Sequence, residues 1–153
     1  MTKVIVVYES KYSNTKLVAE KIVEGMREVS GTETVLNELK EVDKNRLAEF
    51  DAILVGSPNH MGRPTGGIKG FINELGKLNL TGKAVAVFDT YLGKDYEKAV
   101  KKMEKQISEK APGLKLAAPG LSIKVEGMKG PITEGELPKC KEFGSKIANQ
   151  IKG

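Results

Sequence analysis

Between the apolar run Val4-Ile5-Val6-Val7 and a helical pattern that opens at Leu17 stand Ser10-Lys11-Tyr12-Ser13-Asn14-Thr15. Residues of these types at a strand-to-helix turn have the chemistry of a phosphate seat. A helix N-terminus leaves backbone N–H groups without partners and carries the positive end of the helix dipole, so it attracts anions. Ser10, Ser13 and Thr15 add hydroxyl donors, and the Asn14 amide either caps the helix or bonds the same anion. Helix capping alone would also account for Ser and Asn at such a turn.

Two further segments are chemically unusual. Gly56-Ser57-Pro58-Asn59-His60-Met61-Gly62-Arg63-Pro64-Thr65-Gly66-Gly67 is long and polar for a connector, and it holds the chain's only histidine. Asp89-Thr90-Tyr91-Leu92-Gly93-Lys94 sets an aromatic ring just past an apolar run, where packing does not demand one. Three such loops meeting at one edge would suit a planar, phosphorylated ligand. Cys140 shares helical spacing with Leu137, Gly144, Ile147 and Ile151, which reads as a small core residue rather than a redox thiol.

The elements that must position these loops alternate along the chain. Strands are expected at residues 3–8, 33–39, 51–55, 83–88 and 115–125, the last broken by Pro119-Gly120. Ala52-Ile53-Leu54-Val55 lacks alternation and reads as buried on both faces. Helices are expected at 15–29, at 43–49 as a short one, from Ile68 through Phe71, Ile72 and Leu75, with Tyr96, Val100, Met103 and Ile107 on a core side, and at 134–151. Five strands alternating with helices predict an α/β fold: one doubly wound, five-stranded parallel sheet with helices on both faces. Ligands of such sheets bind beyond the carboxyl ends of the strands.

Composition narrows the class. A chain of 153 residues, 29% charged and 39% hydrophobic, is expected to form one domain over residues 1–153. It has no stretch apolar and long enough for a bilayer, and Met1-Thr2-Lys3 leads directly into a strand, so a cytoplasmic location and no membrane partner are expected. A single Cys excludes an internal disulfide, and with a single His it argues against a zinc site. The net charge of +5 is spread over lysines interleaved with glutamates, and Trp is absent, so nucleic acid is not an expected partner.

The Ser10 to Thr15 turn after Val6-Val7-Tyr8, the Gly56-Ser57-Pro58 opening of the second loop and the Tyr91-bearing third loop occur in an order that resembles short-chain flavodoxins. It is also similar to the flavodoxin-like domain of flavodiiron proteins and of some quinone reductases. The resemblance covers essentially the whole chain. It implies the strand order 2-1-3-4-5 and FMN as cofactor. By the same likeness the FMN phosphate falls against Ser10, Ser13, Asn14 and Thr15, with Lys11 at its rim. The ring falls between the second and third loops, with Tyr91 stacked on it, Thr90 and Gly93 beside it, and Ser57, Pro58 and Asn59 giving backbone contacts to its polar edge. Gly62 matches the family's glycine whose peptide turns over on one-electron reduction, and His60 could gate proton uptake.

The function implied is that of an FMN-binding flavodoxin, a low-potential electron-transfer protein working between redox partner proteins. The alternative is an NAD(P)H-dependent FMN quinone reductase, for which the chain is short after its second and fourth strands. Two departures from the family stand out. The second loop lacks an aromatic flavin neighbour and has His60 and Met61 instead, and the sequence pI is near 9.2 where flavodoxins of this type are acidic. Lys11, Arg63 and Lys94, if they ring the site, would favour the anionic reduced flavin and an acidic docking face on a ferredoxin or oxidoreductase partner. A monomer or weak homo-oligomer is expected.

Overall fold

Val4-Ile5-Val6-Val7 and Ala52-Ile53-Leu54-Val55 lie side by side, residue for residue, at the centre of a parallel sheet in the computed structural model, which describes residues 1–152. Strand β1 (Thr2–Tyr8) pairs on one side with β2 (Thr32–Glu38) and on the other with β3 (Ala52–Pro58). β3 pairs with β4 (Ala84–Tyr91), and β4 pairs with β5 (Lys115–Leu116) and with β6 (Leu121–Lys124). The order is β2-β1-β3-β4-β5, as expected, with β6 also on β4. Side chains alternate between two cores. Val4, Val6, Tyr8 and Leu54 pack beneath α1 (Asn14–Arg27) and α4 (Leu137–Lys152), while Ile5, Val7, Ile53 and Val55 pack beneath α2 (Gly66–Leu75) and α3 (Lys98–Lys110). Among the described residues no helix is long and apolar enough to cross a membrane.

Several boundaries differ from the sequence reading, each for a physical reason. The expected fifth strand is two short ones, because Gly120 turns its N–H away from the sheet to the Glu104 carboxylate at 2.9 Å and Pro119 has no N–H to give. The short helix at 43–49 is a 3-10 helix over Lys44–Glu49, started by Asp43 accepting from the Asn45 N–H, so among the described residues four α-helices form rather than five. β3 and β4 pair to their ends, Ser57 with Asp89 and Pro58 with Thr90, so the starts of both expected loops are strand. Tyr96 is not on the core side of α3. It precedes that helix and is 57% exposed.

α1 and α4 cross at glycines. A Cβ on Gly144 would collide with the Ile22 carbonyl, and one on Gly25 with the Lys141 carbonyl, so the two helix backbones touch directly. That contact holds the C-terminal half of α1 against α4. A second network fixes the chain after β4. The Asp89 carboxylate, 0% exposed, accepts from Ser122 Oγ of β6 at 2.6 Å and from the Val100 N–H in the first turn of α3 at 3.1 Å. Ser122 Oγ in turn accepts from the Glu97 N–H at 3.0 Å. One carboxylate thus spans β4, β6 and α3 and substitutes for a side-chain cap, which Glu97 itself does not provide. Burial pushes Asp89 up to about 6, against hydrogen bonds from Ser122 and Val100 that pull it down.

Gly144→Ala should destabilise the protein by about 2–4 kcal/mol in urea unfolding, since neither helix backbone can retreat without opening the core. Gly70→Ala, on α2 with open space around its Cα, should be neutral or stabilising by about 0.5–1 kcal/mol. Asp89 binds its proton more tightly folded than unfolded, so it favours folding below pH 4 and loses that contribution as pH rises through about 6. Between pH 4 and pH 7 the wild type should therefore lose about 2–3 kcal/mol more stability than Asp89→Asn, which keeps the shape without the charge.

Candidate functional site

The loops leaving β1, β3 and β4 border a cavity of about 520 Å³. Ser10, Lys11, Tyr12, Asn14 and Thr15 line it from the first loop, Pro58, Asn59, His60 and Met61 from the second, and Thr90, Tyr91, Leu92 and Asp95 from the third. Nine of the sequence-predicted residues are thus brought together. Ser13, Ser57, Gly62 and Gly93 are not in the lining.

The first loop reaches α1 through Ser13, which sits in the left-handed region at φ 68° and makes no side-chain capping bond. Its carbonyl accepts the Leu17 N–H at 3.0 Å, which leaves earlier N–H groups of the helix facing the cavity end. Ser10 Oγ stands 3.4 Å from the Lys16 N–H, a long contact. The contrast with α2 is direct, since Thr65 there accepts from the Ile68 N–H. The capping alternative open to Ser13 and Asn14 is therefore not the one adopted. Thr15, 1% exposed, shares a hydrogen bond with Thr90 Oγ at 3.0 Å, tying the phosphate-seat candidate to β4. Tyr12 lies between two ammonium groups, Lys11 Nζ at 5.5 Å and Lys129 Nζ at 5.9 Å from its ring centre.

The second loop is held by Asn59. Its backbone N–H donates to the Thr90 carbonyl at 2.8 Å, its amide donates to the Asp95 carbonyl at 2.9 Å, and its Oδ1 accepts from the Gly62 N–H at 2.6 Å. One residue therefore clamps the second loop to the third. His60 and Arg63 exchange backbone bonds at 2.8 and 3.0 Å around Met61 (φ 53°) and Gly62 (φ 83°), a tight turn with both central residues left-handed. Gly62 supplies that conformation behind the cavity wall, and Met61 is pushed outward, 90% exposed. Ser57 is fully buried. Its hydroxyl donates to the Pro58 carbonyl and accepts from the Thr65 N–H, both at 2.9 Å, so it shapes the loop from below. Glu9 accepts from the Thr65 hydroxyl at the same corner.

In the third loop Tyr91 is half-buried and meets Tyr96 edge to face, with centroids 5.3 Å apart at 62°. Burial raises the Tyr91 phenol above its ordinary value, helped by Glu136, so it is neutral and a hydrogen-bond donor. Gly93 is exposed at φ 67° and serves the turn beyond Leu92. Cys140 behaves as read from the sequence. It is buried, its thiol faces the Glu136 carbonyl at 3.7 Å, and burial pushes it up to about 12.

A fourth loop escaped the sequence reading. Val125 and Met128, after β6, line the same cavity, and Met128 is 70% exposed. The Val125 N–H donates to the Tyr91 carbonyl at 2.9 Å, and the loop closes on itself through the Glu126 N–H to the Pro131 carbonyl and the Gly130 N–H to the Gly127 carbonyl, both 2.9 Å. Gly130 lies so near Asn14 that an added Cβ would stand 2.6 Å from its Oδ1. The signal was present in the Gly127 to Pro131 cluster following a strand.

Residues 5–124 match the family model described as "Flavodoxin domain". The chain is similar to a flavodoxin of Aquifex aeolicus, 37% identical over 93 residues that make up 59% of this chain and 50% of that protein. It is also similar to an NAD(P)H dehydrogenase (quinone) of Chromohalobacter salexigens, 30% identical over 56% of this chain and 53% of that protein. The chain spans about half the length of the curated relatives it matches. Among solved structures, a flavodoxin from the domain Archaea superposes with a TM-score of 0.85 at 30% identity, covering 99% of this chain and 100% of its own. On this match of sequence, order of strands and whole-chain superposition, the chain belongs to the flavodoxin family.

Proposed function

We propose that the chain binds FMN in the four-loop cavity and carries single electrons between redox proteins. The observation that carries this reading is the open N-terminus of α1 at one end of the cavity, beside the neutral donors Ser10, Asn14 and Thr15. Those residues fit a phosphate, because they offer N–H and O–H groups without a carboxylate among them. The rest of the cavity fits a flat, largely apolar ring. Pro58, Met61, Tyr91, Leu92, Val125 and Met128 supply apolar or aromatic surface, and the volume lies within the range of cofactor sites. Bound FMN would supply one-electron exchange, which the side chains of this cavity cannot.

The residues of the chain then have separable tasks. Thr15 and Ser10 hold the phosphate end, Asn59 fixes the spacing of the second and third loops, and Tyr91 presents an aromatic face braced by Tyr96. Met61 and Met128 leave one edge of the cavity exposed, where a partner protein can approach. The likeness to a quinone dehydrogenase supports a second reading, a two-electron NAD(P)H quinone reductase. Against it, only Leu92 to Glu97 separates β4 from α3, which is little chain for a substrate wall. Mixing the FMN-loaded protein with NADH or NADPH and a quinone distinguishes the two. The carrier gives no steady turnover, and the reductase turns over continuously.

Thr15→Val should weaken FMN binding by about 1.5–3 kcal/mol through loss of a hydroxyl bond to a dianion, read by quenching of flavin fluorescence. Unchanged affinity would put the phosphate elsewhere. Lys11 and Lys129 flank Tyr12 at the rim and should favour the negatively charged, fully reduced cofactor. Potentiometry should therefore give a second one-electron couple less negative than that of an acidic flavodoxin titrated alongside. Replacing both lysines with Gln should move it by about 10–40 mV to more negative values. An equal potential in the two proteins would contradict this electrostatic account.

A further inference from the structure

The positive charge of this chain is not spread evenly. Residues 59–77 and 92–112, which build α2, α3 and the loops before them, hold nine basic residues against five acidic ones, and so account for four of the five net positive charges. Among the described residues each helix face has three ion-paired lysines, Lys77, Lys98 and Lys101 on α2–α3 and Lys21, Lys139 and Lys141 on α1–α4, so the two faces differ in net charge rather than in pairing. Lys21 pairs with Glu24 at 3.0 Å, Lys141 with Glu28 at 2.9 Å and Lys139 with Glu136. On the α2–α3 face, among the described residues, Arg63, Lys69, Lys94, Lys102 and Lys105 have no carboxylate within salt-bridge distance, and all five are exposed.

These cations form a surface continuous with the cavity. Gln106 Nε2 donates to the Lys69 carbonyl at 2.8 Å and to Asn73 Oδ1 at 2.9 Å, which ties α3 to the part of α2 that carries Lys69. Lys102 then reaches the second loop. A Cβ on Gly62 would lie 3.7 Å from Lys102 Nζ and 3.3 Å from Lys98 Cδ, so the lysine row buttresses the turn that projects Met61. Exposed cations without carboxylates on one face set up a positive potential that attracts an acidic partner. An exposed methionine at the edge of that row adds an apolar contact for the same partner.

We propose that the α2–α3 face, centred on Lys69, Lys102 and Lys105 and ending at Met61, is the docking surface for an acidic electron-transfer protein. The proposal rests on the electron-carrier reading for its purpose but not for its geometry, because Lys69, Lys102 and Lys105 line no part of the cavity. Docking there sets the partner's acidic patch on the helices and its redox centre beside the Met61 edge. The alternative, a carrier attracted only through its overall positive charge, would make every surface lysine equivalent.

The test compares two charge reversals of equal size, Lys69→Glu with Lys102→Glu and, on α4, Lys146→Glu with Lys152→Glu. The probe is a plant-type [2Fe–2S] ferredoxin, an acidic one-electron donor. Binding of each variant to immobilised ferredoxin is read with and without FMN, together with the rate at which reduced ferredoxin reduces the FMN-loaded protein. The first pair should weaken binding and slow reduction by about tenfold at roughly 50 mM salt and converge on wild type near about 500 mM, while the α4 pair changes each by less than about threefold. Lys69→Gln with Lys102→Gln, which removes charge without adding repulsion, should fall between. Equal losses in the two reversed pairs, or no loss in either, would overturn the proposal. Binding by the apoprotein that depends on Lys69 and Lys102 while FMN fails to bind would leave the docking face standing and remove the carrier reading. FMN binding with no dependence on these lysines would do the reverse.

Discussion

Parallel pairing of β1, β3, β4 and β6 is the constraint on which the rest of this molecule depends. Parallel strands must all be left at the same edge, so whatever chemistry the connections carry is delivered to one place. The buried runs Val4 to Val7 and Ile53 to Val55 make that pairing hard to shift, since a one-residue slip would exchange the side chains of the two cores. The direct backbone contact with α4 at Gly25 and Gly144 fixes the far end of α1, and the hydrogen bond of Thr15 with Thr90 ties its first turn to β4. From sheet order alone follow the position of the cavity and the direction in which an uncapped helix points its N–H groups.

The loops are bound to one another more than to solvent. Asn59 joins the second to the third, Thr15 joins the first to β4 through Thr90, and the Val125 N–H joins the fourth to Tyr91. Asp89 lies beneath them all, exchanging one costly buried charge for a fixed relation between β4, β6 and α3. In the proposed function this division of labour keeps the phosphate seat neutral. Cations at Lys11 and Lys129 act at the rim, and those of α2 and α3 act at a distance from the cofactor.

Local pattern made much of this legible. Apolar runs marked the strands, the 3.6-residue period marked α2 and α4, and hydroxyl-rich or glycine-rich segments marked three of the four loops. The failures share a cause, which is that long-range partners override local pattern. Tyr96 keeps helical spacing with Val100, yet Glu97 at φ 61° starts α3 later and frees the ring to pack on Tyr91. β5 is two exposed residues, so no apolar run sets it apart as a strand of its own, although Pro119-Gly120 marked the break before β6. That the Ser57 hydroxyl braces the loop from within was not legible, because its partners Pro58 and Thr65 meet only once the loop has folded back. Nothing in the sequence around Asp89 reveals Ser122, 33 positions away.

In the proposed function the open end of α1 holds a phosphate and the remaining loops hold the ring. Titrating the apoprotein with FMN and with riboflavin, which differ only in that phosphate, tests it most directly through flavin fluorescence. FMN should bind tighter than riboflavin by at least about 100-fold, the effect of two or more hydrogen bonds to a charged group. Equal affinities for the two flavins would contradict it.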